Sequence, residues 1–597
     1  MMVLISEYGL NFFKLMGHSK RLALYKSVKT GSLKRHYAQK TSSNGNLSFI
    51  PFMEMIQMRR AQAARSIVVQ VQSAQSYKEL YTYCESKGKV ENMLHYCEGT
   101  ESMHFIIVEF KSESDVQNVL ESGCHIDESQ TVPTTSQFLW FRAASRKLAK
   151  LKHSKESILS IENGTDISSE IDLKESLRKC NTVSEQIMEL YNSTKLNDVG
   201  QRLRFLTAKQ VETTMSGMFP KLCAFPFGSS VNGFGKMGCD LDIVLRLTPD
   251  QDNEQSRLIY HCKAAPGSER STSQRNMEAV GDLINLFLPG CTQVRRILQA
   301  RVPIIKFHQQ FTNVECDLSM SNMSGVYMSD FLYLMGEIDP RIRPLIFAIR
   351  KWAKNVHLTN PSPGKWITNF SLTLLVLAFL QKPLHSPPVL PTLNQLTKLA
   401  GPSDRYVTED GINGTFLRDI RRLETKSRNT SSLQELLLEF FEYYAQFDFT
   451  NKAVCLNEAV SIAKPEYSAL YIINPLERGL NVSKNVSLEE LERFRVEVRN
   501  AAWLLESNEN QQEDNKGLLA IFENKNNMKL KANMAFSQKY NRLMDVSTLF
   551  EEESDFNSEE IDFKNDSVKN QVAKIKKETR ESIKTINANN KRQKSQS

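Results

Sequence analysis

The chain reads as an α/β protein of the α+β kind, and three observations carry that reading. Residues 64–144 alternate strand and helix patterns in the order β-α-β-β-α-β. Residues 223–247 and 302–320 each set short apolar runs on either side of a turn, as neighbouring strands of a second sheet do. Beyond them RPLIFAIRKWAKNVHLT (343–359), WITNFSLTLLVLAFLQ (366–381) and LLLEFFEYYAQFDF (436–449) read as helices.

The elements follow in order. Residues 1–40 hold eight Lys/Arg against Glu7 alone, a net +7, mixed with Leu, Phe and Tyr. That is the composition of a mitochondrial presequence, a positive amphipathic segment drawn to a negatively polarised compartment, and it predicts delivery to the matrix. SIVVQVQ (66–72) reads as a strand, 76–88 as a helix, 90–98 and 104–110 as strands, 112–123 as a helix capped by Ser112, and 137–142 as a last strand. This module, 64–144, resembles an RNA-recognition motif, whose central strands stack bases on aromatic side chains. Its third strand offers Phe105 and Phe110, but Ile107 stands between them and the first strand has no aromatic. A packing or self-association surface is the equal alternative to RNA binding. Residues 145–174 read as a linker.

Composition excludes several classes. The whole chain of 597 residues carries +8, but residues 564–597 contribute +7 and the acidic run 551–562 contributes −7, leaving 41–550 at +1. A uniformly basic nucleic-acid coat is thereby excluded. The tail from 506 to 597, rich in Asn, Lys, Glu and Gln, is expected to bury little and to stay without fixed structure. Ten Cys with no CxxC make neither a disulfide framework nor a zinc site, and they suit a reducing compartment. The longest apolar run, Ile367 to Leu380, is broken by Asn369, Ser371 and Thr373; it reads as a buried core helix, with no membrane partner.

The chemistry is concentrated in CAFPFGSSVNGFGKMGCDLDIVLRL (223–247). Asp240 and Asp242 are two apart at the start of a strand, so their side chains leave one face. Adjacent carboxylates repel unless a cation lies between them, and paired Mg²⁺ or Mn²⁺ ions use such ligands in phosphoryl displacement. Gly228 and Ser229 precede a turn able to cradle phosphate oxygens. A third carboxylate, Asp317, ends the strand pair of 302–320.

The set FGSS…GCDLD followed by ECDLS resembles the DNA-polymerase-β-like nucleotidyltransferases, and within them the terminal RNA nucleotidyltransferases. The resemblance covers about 197–505. It implies a catalytic palm domain at 221–325, a helical poly(A)-polymerase-associated lobe at 326–505 with helices of 175–220 packed on it, and a two-metal site of Mg²⁺ or Mn²⁺ on Asp240, Asp242 and Asp317. It also implies that Gly228, Ser229, Arg350 and Lys354 meet the triphosphate, and that Asn369, Phe370 and Asn481 serve nucleotide recognition. Uridylyl-transferring relatives commonly carry His before the first Asn of that last loop. Leu480 stands there in this chain, which points to ATP as donor and single-stranded RNA 3′ ends as acceptor. Relatives often carry Asn-Thr where Met328 and Ser329 stand, so sugar discrimination must come from elsewhere, such as Ser329. The resemblance further implies a homodimer through the N-terminal module. A uridylyltransferase and a catalytically inactive RNA-binding scaffold are the alternatives.

Overall fold

A computed structural model describes residues 49–98, 103–124, 135–142, 159–161, 169–216, 219, 222–247, 269–300, 302–320, 323–362, 364–407, 411–423, 427–507 and 517–522. The presequence-like segment lies outside the described residues, as does everything after 522.

The first element is a helix, α1 (Phe52–Ala64), that buries only Phe52, Ile56 and Ala63. The N-terminal module follows as strand β1 (Ser66–Val71), helix α2 (Tyr77–Glu85), strands β2 (Val90–Glu98) and β3 (Met103–Phe110), helix α3 (Glu113–Glu121) and strand β4 (Phe138–Trp140). Ser112 caps α3 reciprocally. Its hydroxyl accepts from the Asp115 N–H at 3.3 Å, and the Asp115 carboxylate accepts from the Ser112 N–H at 3.1 Å. Strand order is β4-β1-β3-β2, the expected ferredoxin-like arrangement, with one more strand, β5 (Leu159–Ile161), parallel to β2 at the far edge. That strand falls in the stretch read as linker; three residues are too few to show a period.

Period-two alternation sorts the module's residues between two cores. Ile67, Val69, Ile106, Val108 and Phe110 lie with residues of α2 and α3. Val68, Tyr96, Phe105 and Ile107 share a cluster with Phe52, Leu203 and Val244, which belong to other elements of the chain. Each such apolar side chain contributes about 1.5–3 kcal/mol by leaving water. Phe105 stacks on Tyr96 (centroids 5.2 Å apart) and packs on Phe311 at 5.9 Å, and the Tyr96 hydroxyl donates to the Phe311 carbonyl at 2.9 Å. The face on which an RNA-recognition motif would stack bases is therefore covered by the chain's own second sheet. Of the two uses open to this surface, packing is the one realised.

Helices α4 (Glu170–Arg178), α5 (Val183–Thr194) and α6 (Asp198–Met215) lead to that second sheet. It contains β6 (Leu222–Phe227), β7 (Leu241–Leu247), β8 (Cys291–Ile297), β9 (Ile304–Gln309) and β10 (Val314–Ser319), with α7 (Glu269–Phe287) between β7 and β8. The order is β6-β7-β10-β9-β8, and β7 and β10 run parallel.

The helical lobe comprises α8 (Ser324–Ile338), α9 (Ile342–Asn355), α10 (Asn369–Gln381), α11 (Leu393–Lys398), α12 (Leu433–Gln446) and α13 (Leu488–Ser507). A two-stranded ribbon, β11 (Lys452–Ala453) with β12 (Ile462–Ala463), lies between α12 and α13. The run ending at Leu380 is a buried core helix as predicted, since Ser371 through Gln381 are all buried. Among the described residues no helix is long and apolar enough to cross a membrane. The Phe/Tyr stripe of α12 is core: Phe440, Phe441 and Tyr444 are fully buried. One expectation fails. Residues after 506 were expected to bury little, yet Leu518–Phe522 form a short helix, α14, buried in this lobe. Five apolar residues, LLAIF, suffice to hold it there despite the polar sequence on both sides.

Candidate active site

Sheet pairing brings the three aspartates together. Asp317 on β10 lies directly beside Asp242 on β7, in parallel register, and Asp240 stands just ahead of β7. The backbone at Asp240 is held from two sides. The Ser230 hydroxyl donates to the Asp240 carbonyl at 2.6 Å, and Arg204 of α6 donates to the Cys239 carbonyl.

Across the β6–β7 pair Phe227 faces Asp242, so the chain turns at Gly228 right against that carboxylate. Gly228 has φ +73, and a Cβ there would collide with Asp242 Oδ2. Only glycine meets both demands. Its N–H is already taken by the Ser329 hydroxyl at 2.7 Å, and Ser329 in turn donates to the Gly325 carbonyl at 2.7 Å. Ser329 is thus a buttress of the turn, buried at 2% exposure, rather than a group facing a sugar. Ser229 is half-buried, and among the described residues its hydroxyl has no hydrogen-bond partner.

The electrostatics are those of an uncompensated anionic cluster. Burial, then the charges of Asp317 and Asp240, push the Asp242 carboxyl up to about 7. Asp240 is raised as well, by burial and by Asp317. Lys306, missed in the sequence, grips Asp317 at 2.7 and 2.5 Å. It faces Asp317 across the β9–β10 register, a pairing that spacing alone does not reveal. One lysine offsets three carboxylates only in part. The oxygen-only donor set fits a hard divalent cation such as Mg²⁺ or Mn²⁺.

Cations stand on the helical side. Arg350 of α9 donates to Thr373 Oγ1 and, at 2.8 Å, to the Phe234 carbonyl, with its guanidinium over the Phe234 ring. Burial pushes its pKa down to about 10, and among the described residues no carboxylate pairs with it. Lys354, four residues on, is exposed, while Arg350 is built into the helix packing through Thr373. A second missed residue is Lys236, in the loop before Asp240. Burial, then repulsion from Lys354 and Lys351, lowers its pKa. Its position inside the Gly-rich loop was the one available signal.

Asn369 opens α10 and is exposed; Phe370 is half-buried against the helical core. Asn485 donates to the carbonyls of Gly364 and Trp366 at 2.9 and 2.8 Å, tying the 473–487 loop to the start of α10. Asn481 has another occupation than the one predicted. Its amide accepts from Ile472 N–H and Ser483 N–H and donates to the Leu470 carbonyl, at 3.1, 2.9 and 3.0 Å. It shapes the loop from within and has little hydrogen-bonding capacity left for a base.

Comparison with known proteins agrees with this geometry. Residues 183–337 match the family model described as "Poly(A) RNA polymerase, mitochondrial-like, central palm domain", and residues 432–489 match "Cid1 family poly A polymerase". A Drosophila melanogaster protein named "Poly(A) RNA polymerase, mitochondrial" is 47% identical over 578 residues, spanning 92% of this chain and 94% of its own. The Homo sapiens protein of the same name is 36% identical, over 69% of each chain. A crystal structure of mtPAP in complex with UTP superposes with a TM-score of 0.71 at 36% identity, covering 79% of this chain and 99% of that one. The same enzyme has also been crystallised with ATPγS, GTP and CTP. With the paired strands, the carboxylate cluster and nearly full-length similarity in hand, the chain belongs to the mitochondrial poly(A) RNA polymerase family.

Proposed function

We propose that this chain is a template-independent polynucleotide adenylyltransferase that transfers AMP from ATP to RNA 3′ ends, acting on transcripts in the mitochondrial matrix. The observation that carries this reading is the register of Asp317 beside Asp242, with Asp240 at the strand's start. Asp240, Asp242 and Asp317 would hold Mg²⁺ or Mn²⁺; bound there, the metal lowers the pKa of the attacking 3′-hydroxyl and offsets charge on the leaving pyrophosphate. The chain's own groups do the rest. Ser229 and the lysines Lys236 and Lys354 position and neutralise the triphosphate. Arg350 keeps a positive charge at the base of that cluster while orienting α10 through Thr373. Phe370 and Asn369 receive the base and ribose, on a surface that Asn481 and Asn485 hold in shape.

The basic segment 1–40 serves import. The homodimer implied by family resemblance would use the edges of the N-terminal sheet, since both its faces are engaged within the chain. Trp140, 52% exposed on edge strand β4, is the candidate contact.

Because mtPAP has been crystallised with four different nucleotides, binding does not test the choice of donor; extension does. Offered ATP, UTP, CTP and GTP separately with an unstructured RNA primer, the chain should extend at least tenfold faster with ATP. A clear preference for UTP would overturn the inference from Leu480. Tight RNA binding with no extension from any nucleotide would identify a scaffold instead.

A further inference from the structure

The sequence offers no zinc spacing, yet strand pairing gathers three metal-binding donors at one point of the N-terminal module. His95 and Cys97 are two apart on β2, so their side chains leave the same face. β3 returns antiparallel with His104 directly opposite Cys97 and Ile106 opposite His95. His95 thereby becomes the diagonal neighbour of His104. His95 Nε2 lies 3.0 Å from His104 Nδ1, and Cys97 Sγ lies 3.3 Å from His104 Nδ1 and 3.9 Å from His95 Nε2. The two imidazoles stack with centroids 5.2 Å apart.

These separations are close to those of a tetrahedral zinc shell. Zn–N bonds of about 2.0–2.1 Å and a Zn–S bond of about 2.3 Å put two nitrogens about 3.3 Å apart, and nitrogen and sulfur about 3.6 Å apart. The three observed distances match within about 0.4 Å. His95 is buried while Cys97 and His104 are half-buried, so the site is anchored on one side and open to solvent on the other. Cys97 is not in a disulfide. Imidazole and thiolate donors suit zinc, whereas the all-oxygen aspartate cluster suits magnesium or manganese, so the two sites differ in chemistry.

We propose that His95, Cys97 and His104 form a zinc site, with water as fourth ligand, that staples the end of the β2–β3 pair at which Glu98 faces Met103. On binding, the Cys97 thiol gives up its proton to solvent and its sulfur lone pair forms the Zn–S bond; no oxidant or reductant is needed. The site also borders β5, which pairs with β2 at His95↔Ile161, so the metal fastens the sheet edge where the later chain joins it.

The test uses the full chain carrying Asp317→Asn, which weakens the competing carboxylate site, stripped with chelator and titrated with Co²⁺. One equivalent should bind with tetrahedral d–d absorption and a thiolate-to-cobalt charge-transfer band, and Zn²⁺ should displace it. Cys97→Ser should abolish that band, and His104→Gln should weaken Co²⁺ binding at least tenfold. Zn²⁺ should raise the thermal midpoint of the parent but not of Cys97→Ser. Should Cys97→Ser fail to fold, the parent spectrum and His104→Gln decide. Cobalt binding without a thiolate band, a band that survives in Cys97→Ser, or no binding by the parent would each overturn the site in favour of a hydrogen-bonded His-Cys-His cluster.

Discussion

The two five-stranded sheets treat buried acids in opposite ways. In the N-terminal sheet, Glu109 on β3 accepts from Arg202 at 2.6 Å and from Arg65 Nε at 3.1 Å, and Arg202 also donates to Asp198 at 2.6 Å. Burial works against the Glu109 charge, but the two guanidinium groups outweigh it and hold the carboxyl below its ordinary value. In the second sheet, Asp242 is crowded by two further carboxylates with one lysine in reach, and its carboxyl rises to about 7. A structural acid comes with its arginines; an acid meant for a cation from outside does not. The difference separates scaffold from chemistry without reference to any relative.

The widest gap between the sheets should appear in activity. Asp317→Ala removes a ligand from the uncompensated cluster, and losing that stabilisation of transition-state charge should slow primer extension by about 10³-fold. Circular dichroism should be unchanged, because Asp317 is water-accessible and its one partner, Lys306, can turn to solvent. Near-normal extension by this variant would erase the distinction between the two sheets.

Next in size is the converse experiment on the scaffold. Arg202→Met removes the most buried partner of Glu109, leaving it Arg65 and leaving Asp198 Arg59, and removing one partner of a buried ion pair costs up to about 3–5 kcal/mol. The thermal midpoint should fall by several degrees while extension per folded molecule stays within twofold. A large loss of activity with little loss of stability would place Arg202 in the chemistry instead.

What the sequence disclosed follows the same division. Eight of the ten strands of the two sheets were legible as short runs between turns, and Asp240 and Asp242 because their spacing puts them on one face; β8 (CTQVRRI) was not, since only its Cys, Val and Ile are apolar. Helix α1 was not, since FMEMIQMRRAQAA has no apolar stripe and is held instead by Arg59 to Asp198 and Arg60 to Glu212. β5 and α14 are too short to show a period. The contact of Lys306 with Asp317, the Ser329 buttress and the burial of Arg350 under Thr373 all depend on register or on packing between distant segments. Local spacing carries no trace of those. The residues proposed to face the nucleotide are therefore the least legible part, because they come from separate elements.

The smallest effect is the most discriminating, because its sign differs between the sheets. Asp242 titrates at about 7 in the folded chain, against about 3.9 for an unfolded aspartate. The folded state thus holds the proton more tightly. Without metal, this group makes the fold less stable as pH rises from about 4 to about 7, and its effect is constant above that. A shift of that size corresponds to at most about 4 kcal/mol, and coupling to the neighbouring Asp240 lowers the share that belongs to Asp242 alone. Asp242→Asn should therefore melt higher than the parent at pH 8 in chelator and lose the advantage at pH 5. With Mn²⁺ present the order at pH 8 should invert, since the parent gains a bound cation that the variant holds poorly. Glu109→Gln offers the matched control: a carboxyl held low by arginines stabilises the fold above its unfolded pKa, so its loss should lower the midpoint at pH 8 with or without metal. Were Asp242→Asn also destabilising in chelator at pH 8, the carboxylate cluster would be compensated after all, and the cation would have to be sought elsewhere on the sheet.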